Sequence, residues 1–187
     1  MEAKIVYFDD PEKDYADDVF RIVRQRAEEL GIKTILVAST KGNTAVKATE
    51  ALKGFRVIAV SHATGFDEPG SQLFTEANRK IVESKGGIIL TTTHIFAAIG
   101  RAMKNKFNMY GIEEVIANTL RVFGHGMKVV CEITMMAADS GLARIDEDVI
   151  AIAGRHEGAN TAVLLRPVNT TNFFDLKVKE ILCIPHF

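Results

Sequence analysis

The feature that most constrains the fold is the segment from Lys33 to Gly65, which has the pattern of a parallel βαβ unit. Thr34–Ala38 is a short apolar run without polar alternation, as is typical of a parallel strand that is buried on both faces. Helix-forming residues follow at Ala45–Lys53 and stop at Gly54, and a second apolar run occupies Val57–Val60. A helix of this length between two such strands predicts a right-handed crossover.

The turn between the first strand and its helix is a candidate anion site. It contains hydroxyls, a cation and a glycine, in the order Ser39, Thr40, Lys41, Gly42, Asn43 and Thr44. Unpaired amides at a helix N-terminus favour a phosphate, and a glycine allows close approach of the backbone. The alternative is an ordinary N-cap that binds nothing. If the turn binds phosphate, we expect Gly42→Val to weaken binding severely and to leave the fold intact.

Polar loops also follow the second and third strands. A loop at His62–Ser71 follows the second strand, and Thr91-Thr92-Thr93-His94 follows the third strand, Gly87–Leu90. Ligands of open α/β sheets bind at the carboxyl ends of strands. The alternatives are a surface loop with a helix cap at Ser71 and a simple strand end. The candidate ligand residues here are Ser61, His62, Thr64, Gly65, Phe66, Thr91, Thr92 and His94.

The fourth strand, Asp148–Ala153, ends at a loop with two glycines and charged groups, Gly154–Asn160. The candidate ligand residues of this loop are Gly154, Arg155 and Asn160. Arg155 has the planar fork that suits a phosphate, so we expect Arg155→Lys to weaken binding less than Arg155→Ala does. No helix-length segment separates the loop from Thr161–Arg166, which predicts a hairpin. The loop is therefore a hairpin turn, a ligand contact, or both.

Periodicity and capping residues predict the remaining elements. Asp9-Asp10-Pro11-Glu12 predicts the start of a helix that ends at Gly31. A helix capped by Thr93 is expected to carry Ile95, Phe96, Ile99 and Met103, before a connector at Lys104–Gly111. Further helices are expected at Leu73–Ser84, at Ile112–Phe123 with Ile112, Val115, Ile116 and Leu120 buried, and at Met127–Asp139. Extended segments are expected at Lys4–Phe8 and Lys177–Ile184.

The composition predicts one domain, 1–187, with no electrostatic attraction to nucleic acid or to an anionic membrane. Lys and Arg number 23 against 24 Asp and Glu, which gives a formal net charge of −1. Cys131 and Cys183 lack metal-ligand spacing and suit buried, reduced thiols. The sequence shows no signal peptide and no membrane span, so we expect a soluble cytoplasmic protein.

Catalytic and metal motifs are weak. The chain has no G-x-S-x-G, no C-x-x-C and no paired carboxylates. The spacing of His62, His94 and His156 matches no metal-ligand template, so we expect no metal site. Two hypotheses remain: a binding module for a phosphorylated small molecule, or an enzyme that uses His62 or His94 as an acid–base group.

Several segments resemble a known family. The stretch V-A-S-T-K-G-N-T-A-V-K-A-T-E-A-L-K-G-F-R-V-I-A-V-S is similar to the C-terminal domain of pyruvate kinase, whose Ser/Thr-Gly-x-Thr-Ala turn holds an effector phosphate in some kinases. With F-G-H-G-M-K, M-A-A-D-S-G-L and N-F-F-D-L-K-V-K-E-I, the chain resembles a mostly archaeal family of stand-alone proteins of this kind. Val46-Lys47 stands where the kinase motif has an Arg, and the catalytic barrel is absent. Neither the effector specificity nor the kinase activity is therefore implied.

The resemblance implies a three-layer α/β/α fold with a mixed sheet of about five main strands in the order 3-2-1-4-5, the fifth antiparallel. That order places the switch point between the strands that end at Ala38 and Ala153, so Ser39–Thr44 and Gly154–Asn160 should face each other. The family is associated with flavin mononucleotide (FMN), which we therefore expect as the cofactor; a homo-oligomer is also considered. Expected flavin contacts are the ring-edge partners Ser61, Thr91, Thr92 and Asn160 and the wall residues Phe66 and Met136.

Overall fold

A computed structural model describes residues 2–155 and 157–187. Within this part of the chain, α-helices alternate with the strands of one sheet as far as residue 91, and three α-helices then follow in succession before the last three strands. The strands are β1 (Val6–Phe8), β2 (Thr34–Ala38), β3 (Arg56–Ser61), β4 (Ile88–Thr91), β5 (Val149–Ala153), β6 (Thr161–Arg166) and β7 (Lys177–Pro185). The helices are α1 (Ala16–Leu30), α2 (Asn43–Ala51), α3 (Glu76–Ser84), α4 (Ala98–Phe107), α5 (Ile112–Arg121) and α6 (His125–Asp139), with a 3₁₀ helix at Thr170–Asp175.

The sheet has the order β1-β7-β6-β5-β2-β3-β4. Its last five members, β6-β5-β2-β3-β4, reproduce the predicted five-strand order in reverse direction across the sheet. The strands β5, β2, β3 and β4 are parallel, and β6 is antiparallel to β5, as predicted. The α/β fold class is confirmed. The strand count differs because the two predicted extended segments join the sheet: β7 pairs antiparallel with β6, and β1 pairs parallel with β7.

The core lies on both faces of the sheet. Alternate residues of β2 point to opposite sides: Ile35 and Val37 pack with α1 and α2, whereas Leu36 packs with α6. Every residue of β5 is buried, which explains its continuous apolar sequence. Cys131 and Cys183 are buried and unpaired, and burial raises the pKa of each thiol to about 12. None of the described helices is long and apolar enough to cross a membrane.

The predicted start of the first helix is wrong. The helix begins at Ala16 instead of at the Asp9–Glu12 segment. One carboxylate oxygen of Asp14 accepts from the backbone amide of Ala16 (2.8 Å) and from that of Ala159 (3.0 Å). The amide of Tyr15 also donates to the carbonyl of Ala159 (2.9 Å). These tertiary bonds tie the segment to the loop after β5, and they override its local helix signals.

The predicted α4 and α5 regions are also partly wrong. No side chain caps α4, which begins at Ala98 and continues through the first half of the expected connector, to Phe107. Thr93 does not cap it, because the chain after His94 is held by a hydrogen bond from the amide of Phe96 to Glu132 (2.9 Å). On α5, Ile112 and Val115 are exposed instead of buried, and the apolar residues that pack against the protein are Ile116, Ala117 and Leu120.

Candidate functional site

A cavity of about 750 Å³ lies at the carboxyl ends of β2, β3 and β5. The turn after β2 forms one end, and α6 forms the floor. The outer wall comes from α4 and α5. A position beside both β2 and β5, where the direction of winding reverses, is the usual ligand site of an open α/β sheet.

The β2–α2 turn presents backbone amides to this cavity. The hydroxyl of Ser39 accepts from the amide of Ala45 (3.2 Å), which caps the start of α2. Among the described residues, none accepts a hydrogen bond from the amides of residues 40–44. Five consecutive unpaired donors at the positive end of a nine-residue helix are an arrangement that attracts anions.

Gly42 is required by the turn itself. Its φ of +97° lies in the left-handed region. A Cβ at this position would lie 2.7 Å from the ring of Phe74 and 2.7 Å from the Cβ of Asn78. The structure therefore speaks against the expectation that Gly42→Val leaves the fold intact, because the added side chain would clash with the buried Phe74 and with Asn78.

The turn faces the loop after β5, as predicted from the strand order. Lys41 forms an ion pair with Glu157 across the crevice (2.6 Å). The hydrogen bond between them raises the pKa of Lys41 and lowers that of Glu157. Both side chains are exposed, so a competing anion can displace the carboxylate at small cost.

The inner end of the cavity contains a buried charged cluster. Glu132 on α6 is only 2 % exposed and accepts from the ammonium of Lys128 and the amide of Phe96. The Nδ1 atom of His94 lies 3.4 Å from the same carboxylate. Burial raises the pKa of Glu132, but the hydrogen bond from His94 and the charge of Lys128 outweigh it and lower the pKa to about 2. Glu132 is therefore ionised at neutral pH.

Two imidazoles and an aromatic ring lie between the inner cluster and the turn. The rings of His62 and His94 have centroids 5.1 Å apart, and the Phe66 ring lies 4.2 Å from His62 and 5.0 Å from His94. The Oγ1 of Thr40 lies 3.4 Å from the Nε2 of His62. Burial and the neighbouring His94 lower the pKa of His62, which is consequently neutral at pH 7. The guanidinium of Arg101 covers Phe66 from α4, 4.2 Å from the ring centroid.

Two buried ring nitrogens point to a missing partner. The Nδ1 of His62 and the Nε2 of His94 are enclosed and have no hydrogen-bond partner among the described residues. Buried polar atoms are nearly always paired in folded proteins. Both atoms belong to residues that line the cavity, but neither atom is itself exposed to solvent, so each is a buried polar group without a partner.

The structure brings ten of the seventeen predicted ligand residues to the cavity. They are Ser39, Thr40, Lys41, Asn43, Thr44, Ser61, His62, Phe66, His94 and Gly154. The other seven do not line it: Gly42, Thr64, Gly65, Thr91, Thr92, Arg155 and Asn160. Of the two expected flavin-wall residues, Phe66 lines this cavity, and Met136 lines a second, smaller one of about 360 Å³ together with Thr92.

Local contacts explain why two of these seven residues lie elsewhere. Arg155 forms an exposed ion pair with Glu12 (2.6 Å). Asn160 donates to the carbonyl of Pro11 (2.9 Å) and accepts from Thr161. Both side chains therefore hold the N-terminal segment against the loop after β5.

A metal centre is not supported by the geometry of the described residues, which contain no group of three or more His, Cys, Asp or Glu side chains suited to a metal ion. His156, the third histidine considered for such a site, lies outside the described part of the chain.

Sequence reasoning missed Arg101, Lys128 and Glu132. Arg101 lies on a helix whose start was predicted wrongly. Lys128 and Glu132 are spaced i, i+4 within an apolar helix, and a charged pair at that spacing usually lies on a solvated face. The available signal of a buried pair was the presence of these two ionisable residues inside a stretch, residues 126–138, whose other members are almost all apolar.

Two comparisons with known proteins found similarities to this chain. A crystal structure of a pyruvate kinase from Cryptosporidium parvum matches with a TM-score of 0.44 and 14 % sequence identity, over 85 % of this chain and 24 % of the kinase. The chain thus spans about a quarter of the length of that enzyme. The family model described as "Pyruvate kinase, alpha/beta domain" matches residues 17–165. The chain therefore belongs to the pyruvate kinase alpha/beta domain family.

Proposed function

We propose that the cavity binds a phosphorylated small molecule, with FMN as the candidate ligand, and that the phosphate lies on the β2–α2 turn. The observation that carries the proposal is the row of unpaired amides at residues 40–44, at a helix N-terminus in a turn whose residues Thr40, Lys41, Asn43 and Thr44 line the cavity. Arg101 and Lys104 add positive charge to the same cavity. Within the described residues neither of them is ion-paired with a carboxylate; each lies over an aromatic ring.

The residues present fit FMN. A volume of about 750 Å³ is within the range of cofactor sites, and Phe66 provides an aromatic wall. The two unpaired ring nitrogens of His62 and His94 suit the polar edge of a flavin, which both donates and accepts hydrogen bonds. Ser61, Thr40 and Lys128 line the space between these groups. When bound, a flavin supplies hydride or single-electron transfer.

The experiment is a pair of fluorescence titrations, with FMN and with riboflavin, on one protein sample. We expect FMN to bind far more tightly, because deleting a doubly charged phosphate removes several charge-assisted hydrogen bonds and costs on the order of several kcal/mol. Equal affinities would contradict the phosphate assignment. Binding of neither flavin would exclude FMN and leave a phosphorylated metabolite as the ligand to be sought.

A second candidate function is acid–base catalysis on a phosphorylated metabolite, and the contact between His94 and Glu132 favours it. An ionised Glu132 accepts a hydrogen bond from the Nδ1–H of His94 and so leaves a lone pair on Nε2, which is the arrangement of a general base. Sugar phosphates incubated with the protein in D₂O test this function. Deuterium incorporation that is lost in His94→Asn supports it, and an absence of incorporation across the panel speaks against it.

A further inference from the structure

The helix α5 has two apolar faces, of which the fold covers one. Ile116, Ala117 and Leu120 pack against α6 and its neighbours. A second set, Ile112, Val115, Thr119 and Val122, recurs at spacings i, i+3, i+7 and i+10 and forms a separate stripe along the helix. Ile112 is 71 % exposed and Val122 is 76 % exposed. This is the spacing of the seam between two paired helices.

The uncovered stripe continues into the preceding segment. Phe107, Met109 and Tyr110 are each more than half exposed, and no residue of α4 is buried. Soluble monomers rarely leave large apolar side chains exposed in such a concentration, and a patch of this kind marks an interaction surface.

We propose that this face pairs with the same face of a second copy of the chain, with the two α5 helices antiparallel about a two-fold axis. The stripe is self-complementary in that arrangement. Its midpoint falls at residue 117, so Ile112 of one copy lies opposite Val122 of the second, and Val115 lies opposite Thr119. A face that matches itself in this way is the requirement for an isologous dimer.

The helix dipoles also favour the antiparallel direction. Antiparallel pairing places the positive N-terminal end of each α5 beside the negative C-terminal end of the other, whereas a parallel pair would place like ends side by side. The charged residues of α5 do not enter this argument, because Glu114 and Arg121 form an ion pair within the chain (3.9 Å) and line the cavity.

The size of the surface indicates a weak dimer. The exposed side chains between Phe107 and Val122 offer on the order of 600 Å² per copy, against about 800 Å² per partner in a typical stable interface. We therefore expect concentration-dependent association and not an obligate dimer.

Sedimentation velocity of the full chain over a wide concentration range tests the proposal. The wild type should shift from monomer to dimer as its concentration rises, and Ile112→Glu should remain monomeric. Val122→Ser, which removes apolar surface without adding charge, should weaken the dimer in the same direction. Phe174→Glu is the control, because Phe174 is an apolar residue that is even more exposed than Ile112 (87 % against 71 %) and lies on another element. A wild type that stays monomeric, or a dimer that survives Ile112→Glu, overturns the proposal.

Cross-linking tests the direction of the helices. Val115→Cys protein mixed with Thr119→Cys protein should form a mixed disulfide under mild oxidation, because positions 115 and 119 face each other across the axis. The native cysteines are buried and do not compete. Self-linked Val115→Cys protein with no mixed species would show a parallel pair and contradict the antiparallel assignment.

Discussion

The two ends of the cavity are built from different groups. The β2–α2 turn offers backbone amides that are fixed by the start of a helix, and its charged side chains are exposed. The inner end depends on individual buried side chains, Glu132 with Lys128 and His94, that satisfy one another. A site of backbone donors tolerates side-chain replacement, whereas a buried ionic cluster fails when one member is removed.

The largest effect should come from breaking the inner end. Glu132→Ala leaves the ammonium of Lys128 and the amide of Phe96 buried without a partner, so we expect a loss of about 3–5 kcal/mol in the free energy of unfolding. Urea denaturation measures it. Glu132→Ala combined with Lys128→Met is the control, and it should recover part of the loss because no buried charge is left behind.

Glu132 should also make the free energy of unfolding depend on pH in the acid range. The pKa of Glu132 is lowered to about 2 in the folded protein from an ordinary value near 4.5, so its contribution is complete above the unfolded pKa and is lost as the pH falls from there towards 2. A shift of this size corresponds to about 3 kcal/mol. The pH dependence of unfolding should be shallower in Glu132→Gln, and an unchanged slope would mean that other carboxylates cause it.

The next prediction asks whether the β2–α2 turn requires Gly42 for its positive φ or because a Cβ would clash with Phe74. Gly42→Ala should lower the free energy of unfolding by about 1–3 kcal/mol for the positive φ alone, with a further loss from the clash with Phe74. Gly54→Ala is the matched control, because Gly54 has a φ of +102° and a Cβ added there would meet no other atom within 4 Å. Equal losses of unfolding free energy in the two variants would show that Phe74 moves aside without destabilising the protein.

A smaller effect separates capping from ligand binding. Ser39→Ala removes the hydroxyl that accepts from Ala45, so we expect a loss of about 1 kcal/mol in thermal or urea stability. FMN affinity should change less than stability, since the amides of residues 40–44 remain. A large loss of affinity in the folded variant would move the main phosphate contact from the backbone to the Ser39 hydroxyl.

The smallest effects compare two arginines. Arg101→Ala should weaken FMN binding by about 0.5–1 kcal/mol, the scale of one partly exposed charge interaction, because it removes a positive charge from the cavity lining. Arg155→Ala should leave affinity nearly unchanged, because that side chain is paired with Glu12 outside the cavity lining. Titration calorimetry of both variants decides between them, and the reverse order would return Arg155 to the site.

The parts of the fold that could be predicted are those whose signals are local. The unit from β2 to β3 could be predicted from two apolar runs and one helix of suitable length. The position of the β2–α2 turn at the carboxyl end of β2 could be predicted from the same pattern. The N-terminal segment could not be predicted, because the bonds from Asp14 and Tyr15 to Ala159 join residues far apart in the sequence. The burial of α5 was misjudged for a related reason. Helical periodicity places Ile112 and Ile116 on two apolar faces of α5. It does not show which of these two faces packs against the rest of the chain.

The candidate site divides in the same way. Ser39–Thr44 and His94 follow strands directly and were found from their position. Glu132 reaches the cavity from a helix that begins some thirty residues after His94, so only the assembled sheet brings the two side chains together. Arg155 was expected at the site only because a guanidinium suits a phosphate. In the structure it forms an ion pair with Glu12 instead.

The edge strand β1 has a consequence for the order of folding. Val6 pairs with Cys183, and the amide of His186 donates to the carbonyl of Phe8 (2.8 Å). Contacts between residues so far apart in the chain require closure of a very long loop, so β1 can join the sheet only after β7 has docked on β6. On a ribosome, residues 6–8 would therefore wait for nearly the whole chain to be synthesised. In the native protein, the same three residues should be among the first to open in hydrogen exchange, because they form a short strand with one free edge.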